Sequence, residues 1–191
     1  MEVESLKIPD VMLLHPQKHR DDRGFFSETW NRQTLLEAGI KADFVQDNHS
    51  WSKHKGVLRG LHFQLPPHSQ DKLVRVIRGS IFDVAVDIRR GSPTFGKHVS
   101  AVLSADNWQQ LWVPKGFAHG FVTLEDDTEV IYKVSGKYAP ECDRGLIWND
   151  RDLAINWPVD EGEIELSHKD EQMPGIAQAA DLFVFDQYTK V

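Results

Sequence analysis

Short apolar runs that alternate residue by residue, each closed by turn residues, recur through the middle of the chain, and a helical fold cannot accommodate that spacing. IFDVAVDI (81–88) sets Phe82, Val84, Val86 and Ile88 on one face and Asp83, Ala85 and Asp87 on the other. TEVIYKV (128–134) does the same with Val130, Tyr132 and Val134 opposite Glu129, Ile131 and Lys133. A period of two belongs to strands. Further strands are expected at 25–30, 44–51, 72–79, 97–103, 108–113 and 118–124, separated by Gly-Ser, Ser-Pro and Pro-Lys-Gly punctuation. A helix is expected over 31–38, capped by Asn31, packing Leu35 and Leu36 inward and ended by Gly39; a second, short and acidic, follows Ser167 and is ended by Pro174. Many close strands with helices only toward the ends predict an all-β jelly-roll barrel or sandwich. Its core spans roughly 44 to 148, in a single domain covering 1–191 with an N-terminal strand-and-helix extension and a C-terminal tail packed on it.

Charge narrows the partner. The net charge of -7 is wrong for nucleic acid, which wants a basic face. Residues 53–78 nevertheless hold six Lys or Arg against the single acid Asp71, whereas 141–171 hold ten acids against three bases. An acidic chain with one basic segment suits a small anionic ligand, or else a solvated basic face. The opening MEVESLKIPD lacks the apolar run of a signal peptide, and no stretch approaches the roughly 18 apolar residues of a membrane helix. The lone Cys142 can form no intrachain disulfide and has no basic neighbour in sequence to activate it. A reduced cytoplasm is the expected compartment.

VLRGLHFQ (57–64) reads as a buried strand interrupted by a guanidinium and an imidazole. Arg59 and His62 have opposite parity on a regular strand, so a bulge at Gly60 would be needed to turn both inward. A small barrel uses inward side chains either as filling or as the lining of a ligand cavity. The segment PKGFAHGF (114–121) supplies a second histidine, His119.

His62 and His119 together resemble the two signature motifs of the cupin superfamily. The P-x-G-x-x-H spacing is intact as Pro114, Gly116 and His119, but Gln64 stands two residues after His62 and no glutamate occurs between Gln64 and Gly79. Two imidazoles and an amide are a poor set for a divalent transition metal, so no metal and no cofactor is expected. His62 is then free for proton chemistry, since an imidazole titrates near neutrality; read from the residues alone, the two histidines are otherwise satisfied core groups, and an inward tyrosine is more often packing than acid.

The blocks GVLRGLHFQ (56–64), KLVRVIRGSIFDVAVDIRRGSPTFGK (72–97), LWVPKGFAHGF (111–121) and YAPECDRGLIWND (138–150) resemble the dTDP-4-dehydrorhamnose 3,5-epimerase family of metal-free cupins, in order and over nearly the whole chain. The resemblance implies an enzyme that converts dTDP-4-dehydro-6-deoxy-glucose into dTDP-4-dehydro-rhamnose. It implies His62 as the base, Tyr132 as the acid on the other face, Asp170 as the carboxylate partnering His62, and Lys72 beside the ketone oxygen. It further implies nucleotide contacts from Arg23, Glu28, Gln46, Asp47, Asn48, Arg59, His119, Asp143 and Lys169, with Phe25 and Tyr138 stacking on the base. Asp143 stands where the family pattern has a glutamate, which shortens its reach. The chemistry is coherent: a ketone at carbon 4 acidifies carbons 3 and 5, and each inversion needs a base, an opposed acid and a positive group at the enolate oxygen.

Three alternatives remain. A related enzyme would invert only carbon 3 or only carbon 5; a metal-dependent cupin isomerase or dioxygenase would need the missing glutamate; a sugar-binding module would have no use for a lysine and tyrosine inside the barrel. Family resemblance also implies a homodimer in which the N-terminal segment carrying Arg23, Phe25 and Glu28 reaches the partner's site.

Overall fold

The computed structural model of the chain describes residues 1–185; the last stretch of the expected tail, 186–191, lies outside them. In chain order the elements are β1 (Glu2–Ser5), β2 (Met12–His15), β3 (His19–Asp21), β4 (Gly24–Phe26), α1 (Arg32–Glu37), β5 (Gln46–Ser52), β6 (Leu58–Gln64) and β7 (Lys72–Arg78). There follow β8 (Ser80–Asp87), β9 (Arg89–Arg90), β10 (His98–Ser104), β11 (Gln110–Val113), β12 (Phe117–Thr123), β13 (Thr128–Val134), β14 (Asp143–Gly145), α2 (His168–Glu171) and β15 (Phe183–Val184). Two sheets dominate: six strands in the order β1-β2-β11-β7-β13-β5, and five in the order β10-β8-β12-β6-β14. Their crossovers make a cupin-type jelly roll.

The sheets face each other across one apolar layer. Val74 and Val76 of β7, Val130 of β13 and Leu111 of β11 meet Ile81 and Ala85 of β8 and Phe117 and Phe121 of β12. The outer face of the five-stranded sheet is covered as well, by the segment after β14: Leu61, Phe63, Val84 and Val86 pack against Leu153, Ile176, Ala179 and Phe183. This cover explains why β8 is buried on both faces, with Asp83 and Asp87 as inaccessible as the valines between them. The outer face of the six-stranded sheet is covered in part by α1, through Leu35, with Leu14, Leu73 and Trp112.

The long strands fall within two residues of their expected bounds, but 25–30 does not form one strand: only Gly24–Phe26 pairs, with β3, in a short hairpin. Helix α1 starts where expected, the Asn31 side chain accepting from the Gln33 and Thr34 amides, and ends at Gly39 with φ +85°. Leu36, expected inside, is 40% exposed, because one six-residue helix has a single inward stripe and Leu35 occupies it. The N-terminal strands β1 and β2 extend the larger sheet beyond the expected core.

Gly60 does what its strand requires. His62 pairs with His119 and Arg59 with Phe121, so three steps along β6 match two along β12 and the register shifts by one residue. Gly60 has φ +135°, and a Cβ there would lie 2.5 Å from Gly120 Cα. No L side chain fits. The extra residue restores parity: Leu58, Leu61 and Phe63 face outward clusters, while Arg59 and His62 both turn inward.

Candidate active site

Between the sheets lies a cavity of about 420 Å³ whose walls include Arg59, His62, Lys72, His119, Tyr132 and Asp170. Each wall has a separate origin. Arg59 and His62 come from β6 and His119 from β12 in the five-stranded sheet, Lys72 and Tyr132 from β7 and β13 in the six-stranded sheet, and Asp170 from the single turn α2 in the tail.

Asp170 is buried, and its Oδ1 lies 2.5 Å from His62 Nε2. Burial pushes its carboxyl up, but the hydrogen bond and charge of His62 and the Ser167 contact outweigh that and hold it below the ordinary carboxylate value. An ionised Asp170 accepts from Nε2–H, which leaves Nδ1 as the nitrogen with a lone pair. Ser167 makes this possible: its Oγ accepts from the Asp170 amide at 3.2 Å, capping the turn that presents the carboxylate to β6.

Lys72 is 9% exposed and donates to the His62 carbonyl oxygen at 3.3 Å, spanning the gap between the sheets. Burial lowers its ammonium to about 8; the charges of Asp83 and Asp143 oppose that fall and Lys169 adds to it. Tyr132 moves the other way. Burial raises its phenol, against the nearby charge of Arg59, so the hydroxyl keeps its proton throughout the neutral range. His119 is 7% exposed with Nε2 2.6 Å from Asp83 Oδ1. Burial lowers its pKa, with Asp83 opposing and the charges on Lys72 and His62 adding to the fall.

A second hollow of about 420 Å³ shares His62, Lys72, Tyr132 and Lys169 with the first and continues past Gln46, Asn48, Tyr138 and Asp143. At its mouth Lys169 Nζ and Tyr138 Oη both bond to Asp143 Oδ2. The expected contacts from Gln46, Asn48, Arg59, Tyr138, Asp143 and Lys169 therefore lie along one continuous trough. Asp47 does not: β5 alternates, and Asp47 points to the other face, where Lys133 Nζ binds both its oxygens at 2.8 and 2.9 Å. Arg23, Phe25 and Glu28 do not line the trough of their own chain either. Arg23 is held by Asp21, Glu28 accepts from Asn31, and Phe25 lies edge-on to Trp108 at 5.1 Å.

Gln64 has a structural task that its sequence position did not reveal. Its amide donates to His68 O at 2.7 Å and Lys137 O at 3.0 Å and accepts from Ala139 N at 2.8 Å, tying together two loops at the rim. Ser50, Phe121 and Ser167 are among the wall residues that sequence reasoning missed. Strand parity with Asn48 and His119 could have found the first two; the third becomes visible only as a cap on α2.

The family model for dTDP-4-dehydrorhamnose 3,5-epimerase matches residues 5–178. The chain is 54% identical to the dTDP-4-dehydrorhamnose 3,5-epimerase of Escherichia coli, over 91% of this chain and 93% of that one. It superposes with TM-score 0.91 and 42% identity on a Legionella pneumophila dTDP-6-deoxy-D-glucose-3,5-epimerase in complex with dTDP-4-keto-L-rhamnose, covering 96% of this chain and 98% of that one. A 3'-monoepimerase from Streptomyces bikiniensis in complex with dTDP-quinovose aligns with TM-score 0.87 and 34% identity, over 96% and 93% of the two chains.

Proposed function

This chain belongs to the dTDP-4-dehydrorhamnose 3,5-epimerase family, and from that membership we propose that it inverts carbons 3 and 5 of dTDP-4-dehydro-6-deoxy-glucose with His62 as base, Tyr132 as acid and Lys72 at the enolate oxygen. The carrying observation is that His62 and Tyr132 stand on opposing sheets of one cavity, so a sugar ring between them meets a base on one face and a protonated phenol on the other. Inversion at carbon needs that opposition.

The steps follow. His62 Nδ1 takes the proton from carbon 3 or 5, Nε2–H donates to Asp170, and the resulting imidazolium is stabilised by that carboxylate. The electron pair moves to the carbon 4 oxygen, where Lys72 meets the developing charge in a site shielded from water, a contribution typically worth about 3 kcal/mol. Tyr132 then returns a proton to the carbon from the other side. Arg59 and Lys169 suit the diphosphate, and the Tyr138 ring suits thymine.

Incubation in heavy water tests the reading: deuterium is expected at both carbon 3 and carbon 5 of the product. Label at one carbon alone would overturn it in favour of single-site epimerisation, the alternative that the likeness to the 3'-monoepimerase supports. A pH profile checks Lys72 separately. The ammonium is the useful form, present below about 8 and lost above, so kcat/KM is expected to fall as pH rises through that value. A flat profile to pH 10 would remove Lys72 from the enolate.

The hairpin β3–β4 supports a homodimer. Arg23 is 90% exposed at its side chain and Phe26 is 72% exposed, an expensive display unless a second copy receives it. Arg23, Phe25 and Glu28 then complete the partner's nucleotide subsite. Sedimentation at micromolar concentration is expected to give a dimer, and a monomer would refute the composite site. Cytoplasmic location is supported by the single cysteine, and among the described residues no helix is long and apolar enough to cross a membrane.

A further inference from the structure

Asp83 occupies a position where a carboxylate is hard to explain as packing. It is fully buried on the inner face of β8, between Ile81 and Ala85 of the central apolar layer. Oδ1 accepts from His119 Nε2 at 2.6 Å, whereas Oδ2 is one of two buried side-chain atoms, with Ser50 Oγ, that have no hydrogen-bond partner among the described residues. A half-satisfied carboxylate in a dry interior costs more than the amide or apolar residue that would fill the same volume.

What it faces explains its retention. Lys72 is buried across the barrel, and among the described residues its ammonium makes one hydrogen bond, to the His62 carbonyl, leaving two N–H groups uncommitted. The charged and titratable groups around it are Asp83 on β8, Asp143 on β14, Lys169 and Asp170 in the tail, Arg59 and His62 on β6, His119 on β12 and Tyr132 on β13. Asp143 is already engaged by Lys169 and Tyr138, and Asp170 by His62. Asp83 is thus the anion left to balance Lys72.

We infer that Asp83 is a positioning residue with two arms: Oδ1 fixes His119 in the tautomer that leaves Nδ1 as an acceptor for the ligand, and Oδ2 supplies the negative charge that keeps Lys72 cationic beside the ketone oxygen. Neither arm touches substrate. The second rests on the proposed role of Lys72; the first does not.

The test titrates lysine labelled with ¹³C at Cε and ¹⁵N at Nζ by nuclear magnetic resonance, in the full-length protein and in Asp83→Asn, which keeps the size and an acceptor for His119 but removes the charge. The Lys72 midpoint is expected to fall by about one unit or more in the variant, the ordinary effect of losing a nearby opposite charge in a buried site. The alkaline limb of kcat/KM is expected to move down with it, while dTDP affinity is preserved. An unmoved Lys72 midpoint overturns the second arm. If the midpoint moves and the kinetic limb does not, the arm stands and Lys72's catalytic role is what fails. In the unsubstituted protein, ¹⁵N shifts of the His119 ring are expected to show Nε2 protonated and Nδ1 bare; the reverse tautomer overturns the first arm, even if Asp83→Asn does not fold.

Discussion

His62→Ala is expected to lower kcat by about 10³-fold, near the middle of the range of 10²–10⁴ for a positioned general base, while leaving dTDP affinity within a few-fold of the unsubstituted protein. The reason for the separation is spatial. His62 lines the cavity together with Arg59, and the nucleotide contacts proposed for the hollow past Gln46, Asn48, Tyr138 and Asp143 are not removed by the substitution. Alanine also strands Asp170, whose buried carboxylate then loses its partner, so some loss of thermal stability accompanies the variant. Calorimetry with dTDP and steady-state turnover, both on one preparation, separate the two effects. Parallel loss of binding and turnover would make His62 a ligand-holding residue and would leave the base unidentified.

How much of this site is legible without coordinates depends on how local each cause is. The Asn31 cap, the Gly39 stop and the long strands are written in a few neighbouring residues, and they fold as read. Gly60 carries enough information to raise a bulge, because only glycine tolerates a positive φ with a backbone packed against its Cα. Asp83 lacks such a signal. On an alternating strand it reads as one of the polar residues opposite Val84 and Val86, and only the tail packed behind β8 turns that valine face outward into a second core and leaves Asp83 facing the cavity side. The same non-locality governs Asp170: family likeness supplied the pairing with His62 across 108 residues, and the Ser167-capped turn supplies the geometry. Arg23, Phe25, Glu28 and Asp47 show the converse. A family pattern names them as contacts, yet strand parity and the hairpin carry them away from their own chain's trough.

Tyr132→Phe separates the two halves of the reaction in a way that the loss of the base cannot. Removing the hydroxyl leaves His62, Asp170 and Lys72 in place, so carbanion formation continues, but with Lys72 at the oxygen the side-chain proton left to return to carbon is the one on the His62 imidazolium, on the face it came from. Net inversion is expected to drop by about 10²–10⁴-fold, as for loss of a general acid. The imidazolium can exchange its proton with solvent before giving it back. In heavy water, recovered substrate is therefore expected to carry deuterium at the acidified carbons with its original configuration, whereas the unsubstituted enzyme incorporates label with inversion. Because Val130 and Val134 fix the strand on either side, phenylalanine should repack the same volume, which makes a folding defect a poor explanation for any loss. Mass spectrometry and proton resonance of the recovered sugar read label and configuration together. Exchange abolished along with inversion would mean that the phenol acts in proton removal, and the base would then have to be sought on the six-stranded sheet; inversion at the unsubstituted rate would mean that water is the acid and that Tyr132 merely lines the cavity.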